Sequence, residues 1–236
     1  AVVDNETLKI TKNGSHHVTL YAVYKPVDTA TVEFDATPAE GGTVSLRSGS
    51  FTVEGNTIKK GEFESTAEAE DGWHFVGWYE KTSDGNLTKA TDENGNVIAG
   101  AKLTVTSNMM QTKLNSPTEN GMPVHEVRYV AVFEPNKFTV CFNANDGQGS
   151  MGDRIFGGAD SPRNLTKNAF IKAGYEFVGW AETPSNGTGT IYRDGALFEN
   201  VTTYQGKQIN NGDTITLYAQ WREIEHVTIT YTAYPD

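Results

Sequence analysis

The sequence is poor in cysteine, in long apolar runs and in basic residues. Its single cysteine, Cys141, cannot form a disulfide within the chain. The apolar runs extend over only a few residues, which is too short for a membrane-spanning helix. The net charge is −11, with 19 Lys and Arg against 30 Asp and Glu. An acidic chain without a basic stripe is a poor ligand for nucleic acid or for an anionic membrane surface. We therefore expect neither nucleic-acid binding nor direct membrane insertion.

Motifs for catalysis and for metal or cofactor binding are also missing. The histidines form no HExxH or Cys/His metal spacing, and there is no P-loop, dinucleotide fingerprint or nucleophile elbow. The run DENGN at 92–96 begins like a calcium loop, but its glycine stands too early, so Asn94-Gly95 is interpreted as a hairpin turn. No His or cation adjoins Cys141 in sequence, which indicates a structural thiol. We predict no catalytic residue, no metal ligand, no cofactor and no enzyme activity.

Aromatic residues, in contrast, make up 11% of the chain, and Thr, Val, Tyr and Phe are frequent between turn residues. That aromatic content is too high for a disordered chain. Because β-branched and aromatic residues favour strands, the predicted fold class is mostly β to α+β.

Three kinds of segment recur, which is typical of repeat architectures. An opening strand alternates apolar and polar residues at 29–38, 137–146 and 226–235. A second strand contains FVGW, at 75–78 and 177–180. A closing strand, with Ala22, Ala131 and Ala219 in register, occurs at 17–26, 127–135 and 215–223.

The order of these segments predicts two complete units, 29–135 and 137–222, which we call the first and second unit. Residues 1–26 are interpreted as the end of a preceding repeat, or as a segment packed on the first unit. Residues 226–236 are interpreted as the first strand of a following repeat. We expect both terminal segments to be ordered only where they pair with another strand, and both chain ends to lie within a longer protein. The short linkers leave little hinge freedom.

The two FVGW copies have two interpretations: a sugar-stacking platform used twice, or the core signature of a repeated domain. We favour the core signature, because units of this size need the burial of large aromatics, worth about 2–3 kcal/mol each. Strict strand alternation places Phe75 and Gly77 on one face and Val76 and Trp78 on the other. We expect each FVGW strand to meet its closing strand in the core. The predicted core residues are Phe75, Gly77, Trp78, Ala131, Phe133, Phe177, Gly179, Trp180, Ala219 and Trp221.

The second unit resembles the Listeria–Bacteroides repeat, also called the internalin B-type B repeat. The resemblance rests on FNANDGQGSMGD at 142–153, GYEFVGW at 174–180, NGTGTIYRDGALF at 186–198 and TLYAQW at 216–221. The first unit resembles the divergent relative of that repeat, through GGTVS at 41–45, FVGW and YVAVFEP at 129–135. The resemblance implies a β-grasp-like second unit, in which a sheet wraps one helix, and a first unit that is all-β or nearly so.

Local patterns lead to three further predictions. Ser161-Pro162 and the spacing of Leu165, Ala169 and Phe170 predict a helix over 161–173. The alternation in 62–70 predicts a strand, with Ser65, Ala67 and Ala69 facing one way. Residues 107–126 look like an insertion and are the expected place for an individual function, because function concentrates on loops.

The repeats and the absence of catalytic motifs predict a structural spacer, stalk or adhesion repeat. The resemblance implies an extracellular protein at the bacterial cell surface or cell wall. The alternative is a module that binds host glycans or proteins through exposed loops, aromatics or sheet edges. Expected partners are the neighbouring repeats of the same chain and an unidentified host or bacterial surface ligand.

A glycan array probed with the isolated chain separates these two hypotheses. A pure spacer is expected to bind no glycan on the array. Binding that is lost on substitution of a loop aromatic, with the fold intact, would contradict the pure spacer.

Overall fold

The computed structural model describes residues 28–116, 125–157, 163–185, 190–199, 201–225 and 228–232. The predicted terminal piece 1–26 lies outside these residues. Strands account for most of the regular structure, so the prediction of a mostly β chain is confirmed.

The described part of the first unit contains strands in two sheets and one helix. Its elements are β1 (Asp28–Thr37), β2 (Gly42–Val44), β3 (Ser48–Glu54), β4 (Thr57–Ile58), β5 (Glu62–Ala69), β6 (Trp73–Lys81), β7 (Leu87–Lys89), β8 (Lys102–Thr106), α1 (Ser107–Leu114) and β9 (Glu126–Pro135). One sheet has the order β4-β3-β1-β9-β6-β7 and the other the order β2-β5-β8. A single hydrophobic core draws residues from both sheets and from α1.

The second unit has its own core, on one five-stranded sheet. Its strands are β10 (Lys137–Asn143), β11 (Arg154–Gly157), β12 (Arg163–Asn164), β13 (Tyr175–Ala181), β14 (Ile191–Tyr192), β15 (Leu197–Phe198), β16 (Thr203–Tyr204), β17 (Lys207–Gln208) and β18 (Thr214–Glu223). The large sheet has the order β11-β10-β18-β13-β14, and two-stranded ribbons join β12 to β15 and β16 to β17.

Both units share one three-strand arrangement. The opening strand runs parallel to the closing strand, as β1 beside β9 and β10 beside β18. The FVGW strand lies antiparallel on the other side of the closing strand, as β6 beside β9 and β13 beside β18. The repeated sequence order therefore corresponds to a repeated topology.

A β-bulge interrupts the FVGW strand at the same place in both units. Phe75 pairs with Phe133 and Gly77 pairs with Val132, the next residue along β9. Val76 therefore has no partner of its own on β9 and is the extra residue of the bulge. Phe177 and Gly179 show the same shift against β18. The extra residue turns the strand by one position, so the predicted alternation is wrong: Phe75 and Trp78 lie on the same face.

The glycine of FVGW is required by this bulge. Gly77 and Gly179 both have φ of +153°, a conformation that residues with a Cβ rarely adopt. A Cβ at Gly179 would also lie 2.6 Å from Ile191 Cγ2 and 2.7 Å from the Tyr192 carbonyl oxygen. A Cβ at Gly77 would have one close neighbour, the flexible end of the Lys89 side chain, with Nζ at 3.0 Å. The next atom, Cε2 of Tyr79, is 3.8 Å away.

The helix predicted over 161–173 is wrong for the part that the structure describes, 163–173. Leu165 and Phe170 are buried, but Ala169 is exposed. The backbone hydrogen bonds go to other partners: Leu165 N donates to the Ala196 carbonyl at 2.8 Å, and Phe170 N donates to Asn168 Oδ1 at 2.9 Å. These contacts replace the helical pattern, and the described residues of the second unit contain no helix.

The other two local predictions have different outcomes. The strand predicted over 62–70 is confirmed as β5, with Ser65 and Ala67 buried and Glu68 exposed. The presumed insertion instead begins with α1, whose Met109, Met110 and Leu114 belong to the core. Thr106 caps this helix by accepting a hydrogen bond from Met109 N at 3.2 Å. Residues 117–124 lie outside the described part.

Lys113 holds α1 against the main sheet. Its Nζ lies 2.8 and 2.7 Å from the two carboxylate oxygens of Glu80 on β6. Gln111 adds a second anchor, since its Oε1 accepts a hydrogen bond from Ile58 N at 2.8 Å. The helix is therefore an integral part of the first unit.

Of the predicted terminal strand 226–236, residues 228–232 are described. They are exposed and do not pair with any strand of the described chain, and Ile229 and Tyr231 are 69% and 89% exposed. The assignment of this segment to a following repeat stays a prediction.

The two bulge glycines form a matched pair for a stability test. Gly179→Ala is expected to destabilise the second unit by about 2–4 kcal/mol, because backbone strain and a clash with β14 add together. Gly77→Ala is expected to cost the first unit about 1–2 kcal/mol, because only the strain remains. Amide hydrogen exchange in β18 and β9 measures each loss separately. Equal losses would contradict the steric argument.

Candidate functional site: the inter-repeat junction

The predicted core residues gather in two equivalent aromatic clusters. Trp78 and Trp180 are fully buried, as are Ala131 and Ala219 opposite them. The Phe75 ring lies 6.1 Å from Trp78 and 5.8 Å from Phe133. In the second unit, the Phe177 ring lies 4.9 Å from Trp180 and 5.7 Å from Trp221. Because a stacking platform needs exposed rings, these tryptophans do not form one.

A glycine lies under the last aromatic of each cluster. A Cβ at Gly42 would come within 2.5 Å of the Phe133 ring, and a Cβ at Gly147 within 2.8 Å of Trp221. The glycines of the GGTVS and FNANDG segments therefore allow the ring of the closing strand to pack on the loop after the opening strand. Sequence reasoning missed this contact, although the shared position of the glycines was a visible signal.

The indole N–H groups are not equivalent in the two clusters. Trp78 Nε1 donates to the Ala101 carbonyl at 2.9 Å, and Trp221 Nε1 donates to the Ala144 carbonyl at 2.9 Å. Trp180 Nε1 is buried and finds no acceptor among the described atoms.

The two units meet at Asn136, the single residue between β9 and β10. Its backbone N–H donates to the Gly72 carbonyl at 2.7 Å. Its side-chain Nδ2 donates to the Ile209 carbonyl in the second unit at 2.9 Å. Its Oδ1 lies 3.2 Å from His74 Nδ1 in the first unit. One buried amide therefore hydrogen-bonds to both units at once.

Neighbouring groups complete the junction. Lys137 N donates to Asn211 Oδ1 at 2.9 Å, and Gly212 N donates to the Lys137 carbonyl at 2.7 Å. Gly157 lies so close that a Cβ would fall 1.9 Å from the Asn136 carbonyl oxygen. The N–H groups of Asn136 and Lys137 and the Lys137 carbonyl are thus hydrogen-bonded where the polypeptide crosses from one unit to the other.

The far end of the second unit repeats half of this arrangement. Ile224 N donates to the Gly174 carbonyl at 2.8 Å, the counterpart of the bond from Asn136 to Gly72. Ile224 has no side-chain amide, and its side chain is 44% exposed. Within the described residues, the side-chain amide that bonds to the next unit is therefore present at Asn136 and not at the equivalent position, Ile224.

Comparison with family models identifies both units. Residues 31–137 match the divergent InlB B-repeat domain, and residues 138–220 match the Listeria-Bacteroides repeat domain. The two matches follow each other along the chain and together cover residues 31–220. Both families are structural repeat domains of the kind found in bacterial surface proteins, and Listeria-Bacteroides repeats typically occur in extracellular ones.

The other comparisons add little. No curated protein matches the chain. Among solved structures, the major pilin from Streptococcus pyogenes aligns at 11% identity, covering 84% of this chain and 99% of the pilin chain. Its TM-score of 0.18 supports no argument about the fold.

The second unit uses the asparagines of its FNAN segment for local hydrogen bonds. Asn143 Oδ1 accepts a hydrogen bond from Asn145 N at 2.8 Å, and Asn145 has a positive φ of 48°. Asn145 Nδ2 donates to the carbonyls of Pro184 and Ala219, at 2.7 and 2.8 Å. This side chain therefore joins the opening loop to the closing strand.

Several titratable groups in the described residues have a shifted pKa, among them Cys141 and Tyr192. No cluster of three or more His, Cys, Asp or Glu side chains there could hold a metal ion. Burial raises the pKa of the Cys141 thiol, and its hydrogen bond to Asp153 raises it further, which disfavours the reactive thiolate. Burial, with the nearby Glu182 carboxylate, raises the pKa of Tyr192 to about 12.

The presumed calcium loop is the hairpin turn that the sequence predicted. Asp92 N donates to the Asn96 carbonyl at 2.9 Å, and Gly95 has φ of +83°. The Asp92 carboxylate accepts hydrogen bonds from Asn96 and Asn94, which lower its pKa. Its oxygens are thus engaged in holding the turn.

Substitution of Asn136 tests the junction. Asn136→Ala leaves the Ile209 carbonyl without its donor, at a cost of about 1–3 kcal/mol. We expect the two repeats of the unmodified chain to share one rotational correlation time in ¹⁵N relaxation, and those of the variant to separate into two. Asn164→Ala, which removes a hydrogen bond of 2.8 Å to Gly195 within the second unit, is the matched control. Identical relaxation of Asn136→Ala and the control would contradict this role.

Proposed function

We propose that this tandem is a non-catalytic structural spacer, part of a stalk that holds another region of an extracellular bacterial surface protein away from the cell wall. The observation that supports this most directly is the junction at Asn136. A one-residue connection with a buried, doubly hydrogen-bonded amide restricts bending, which is the property that a spacer needs. The neighbouring repeats of the same chain are its proposed first partners.

The strand topology suits a protein that is pulled from its ends. The chain enters the first unit through β1 and leaves through β9, and these strands are parallel neighbours over seven residue pairs, Thr31–Thr37 with Glu126–Val132. Tension at opposite ends of a parallel pair slides the strands past each other. All the hydrogen bonds between the strands then resist together, whereas peeling from one end would break them one after another.

The second unit has the same geometry on a shorter ladder. β10 and β18 are parallel over five residue pairs, from Thr139 with Thr214 to Asn143 with Tyr218. Because the two units are joined end to end through Asn136, tension along the chain loads both ladders in the sliding direction. The proposal is thus a mechanical role for the arrangement that the repeats share.

Single-molecule pulling in two directions tests this role. In a Cys141→Ser background, handles at Asp28→Cys and Glu134→Cys load β1 and β9 by sliding. Handles at Asp28→Cys and Glu126→Cys load the same strands by peeling from one end. We expect the unfolding force of the first unit to be several-fold higher in the sliding geometry.

The two variants share one handle position and differ only in the end of β9 that is pulled. Equal unfolding forces in the two geometries would remove the mechanical argument. A lower force in the sliding geometry would contradict it directly.

A further inference from the structure

A cavity of about 260 Å³ opens where the two repeats meet. The first unit contributes a wall that includes Asp71, Trp73 and Pro135. The second unit contributes an apolar floor and one acidic side chain, from Phe138, Phe156, Phe198, Ile209 and Glu199. The cavity therefore exists only where both repeats are joined.

The charge of this cavity has one sign. Asp71 and Glu199 are both exposed and form no ion pair within the described residues, and no Lys, Arg or His is among the described residues that line the cavity. Some other carboxylates of the first unit are paired with cations, as Glu80 with Lys113 and Glu33 with Arg128. Two carboxylates beside aromatic walls therefore have no cationic partner among the described residues.

We propose that this inter-repeat cavity binds one basic side chain, lysine or arginine, of a protein partner. The aliphatic stem of such a side chain packs against aromatic rings, and its charged head stays near solvent and carboxylates. A cation also gains from the face of a tryptophan such as Trp73. The volume lies below that of pockets for drug-sized molecules and fits a single side chain. This inference goes beyond the spacer role and does not depend on it.

Titration of the intact chain with small model compounds tests the site. The probes are N-acetyl-arginine amide and N-acetyl-lysine amide, and the control is N-acetyl-citrulline amide, which has the shape of the arginine probe without its charge. We expect saturable NMR shifts of the Trp73 indole and the Ile209 methyl groups, with a Kd of roughly 1–10 mM. The shifts are expected to weaken with salt, because both carboxylates are exposed.

Isosteric neutralisation identifies the acidic partners. Asp71→Asn and Glu199→Gln are each expected to weaken arginine binding about fivefold, the effect of losing one exposed ion pair. Glu68→Gln, an exposed carboxylate on β5 outside the cavity, is the matched control and is expected to change nothing.

The proposal has three ways to fail. Absence of shifts at Trp73 and Ile209 with either basic probe overturns it. Equal binding of the citrulline compound shows that the cavity does not recognise charge, and overturns it as well. Unchanged affinity in both Asp71→Asn and Glu199→Gln places the cation elsewhere. None of these outcomes bears on the pulling experiment.

Discussion

The pairing of the FVGW strand with the closing strand is the interaction on which both units depend. One extra residue, Val76 or Val178, forms a bulge that turns Phe and Trp of the same strand toward the core. Without the bulge, alternation would send one of these two rings to the solvent face. The glycine after the valine accepts the backbone conformation that the bulge imposes. A four-residue motif thus specifies a local irregularity, and that irregularity supplies the largest side chains of each core.

From this shared pairing, the rest of each unit is arranged around the closing strand. The opening strand lies parallel to the closing strand, on the side away from the FVGW strand. A glycine in the loop after the opening strand lies under the last aromatic residue of the closing strand. The chain therefore enters and leaves each unit on neighbouring strands. The same arrangement brings the end of one closing strand next to the start of the following opening strand, which makes a one-residue junction possible.

Sequence reasoning located these recurring elements but not their surroundings. Alternation correctly predicted β5, because its pattern reflects one buried face. Spacing misled at 163–173, because Leu165 and Phe170 are buried although their backbone N–H groups donate to Ala196 and to Asn168 instead of forming a helix. The helix α1 was missed within an apparent insertion, since eight residues give little periodicity. Its buried side chains belong to the core of the first unit, and Glu80 and the Ile58 backbone anchor it. Local patterns cannot report such distant partners.

The sequence by itself indicated two successive repeats and the families they match, the mostly β fold, and the aromatic residues that the FVGW and closing strands contribute to each core. It could do so because repetition and alternation are written along the chain. Only the tertiary structure decided that a bulge places Phe75 and Trp78 on one face, that Asn136 joins the two units, and that Asp71 and Glu199 border one cavity. Each of these features depends on strand register or on contacts between residues far apart in sequence. Register and long-range contacts produce no periodic pattern in the amino-acid sequence.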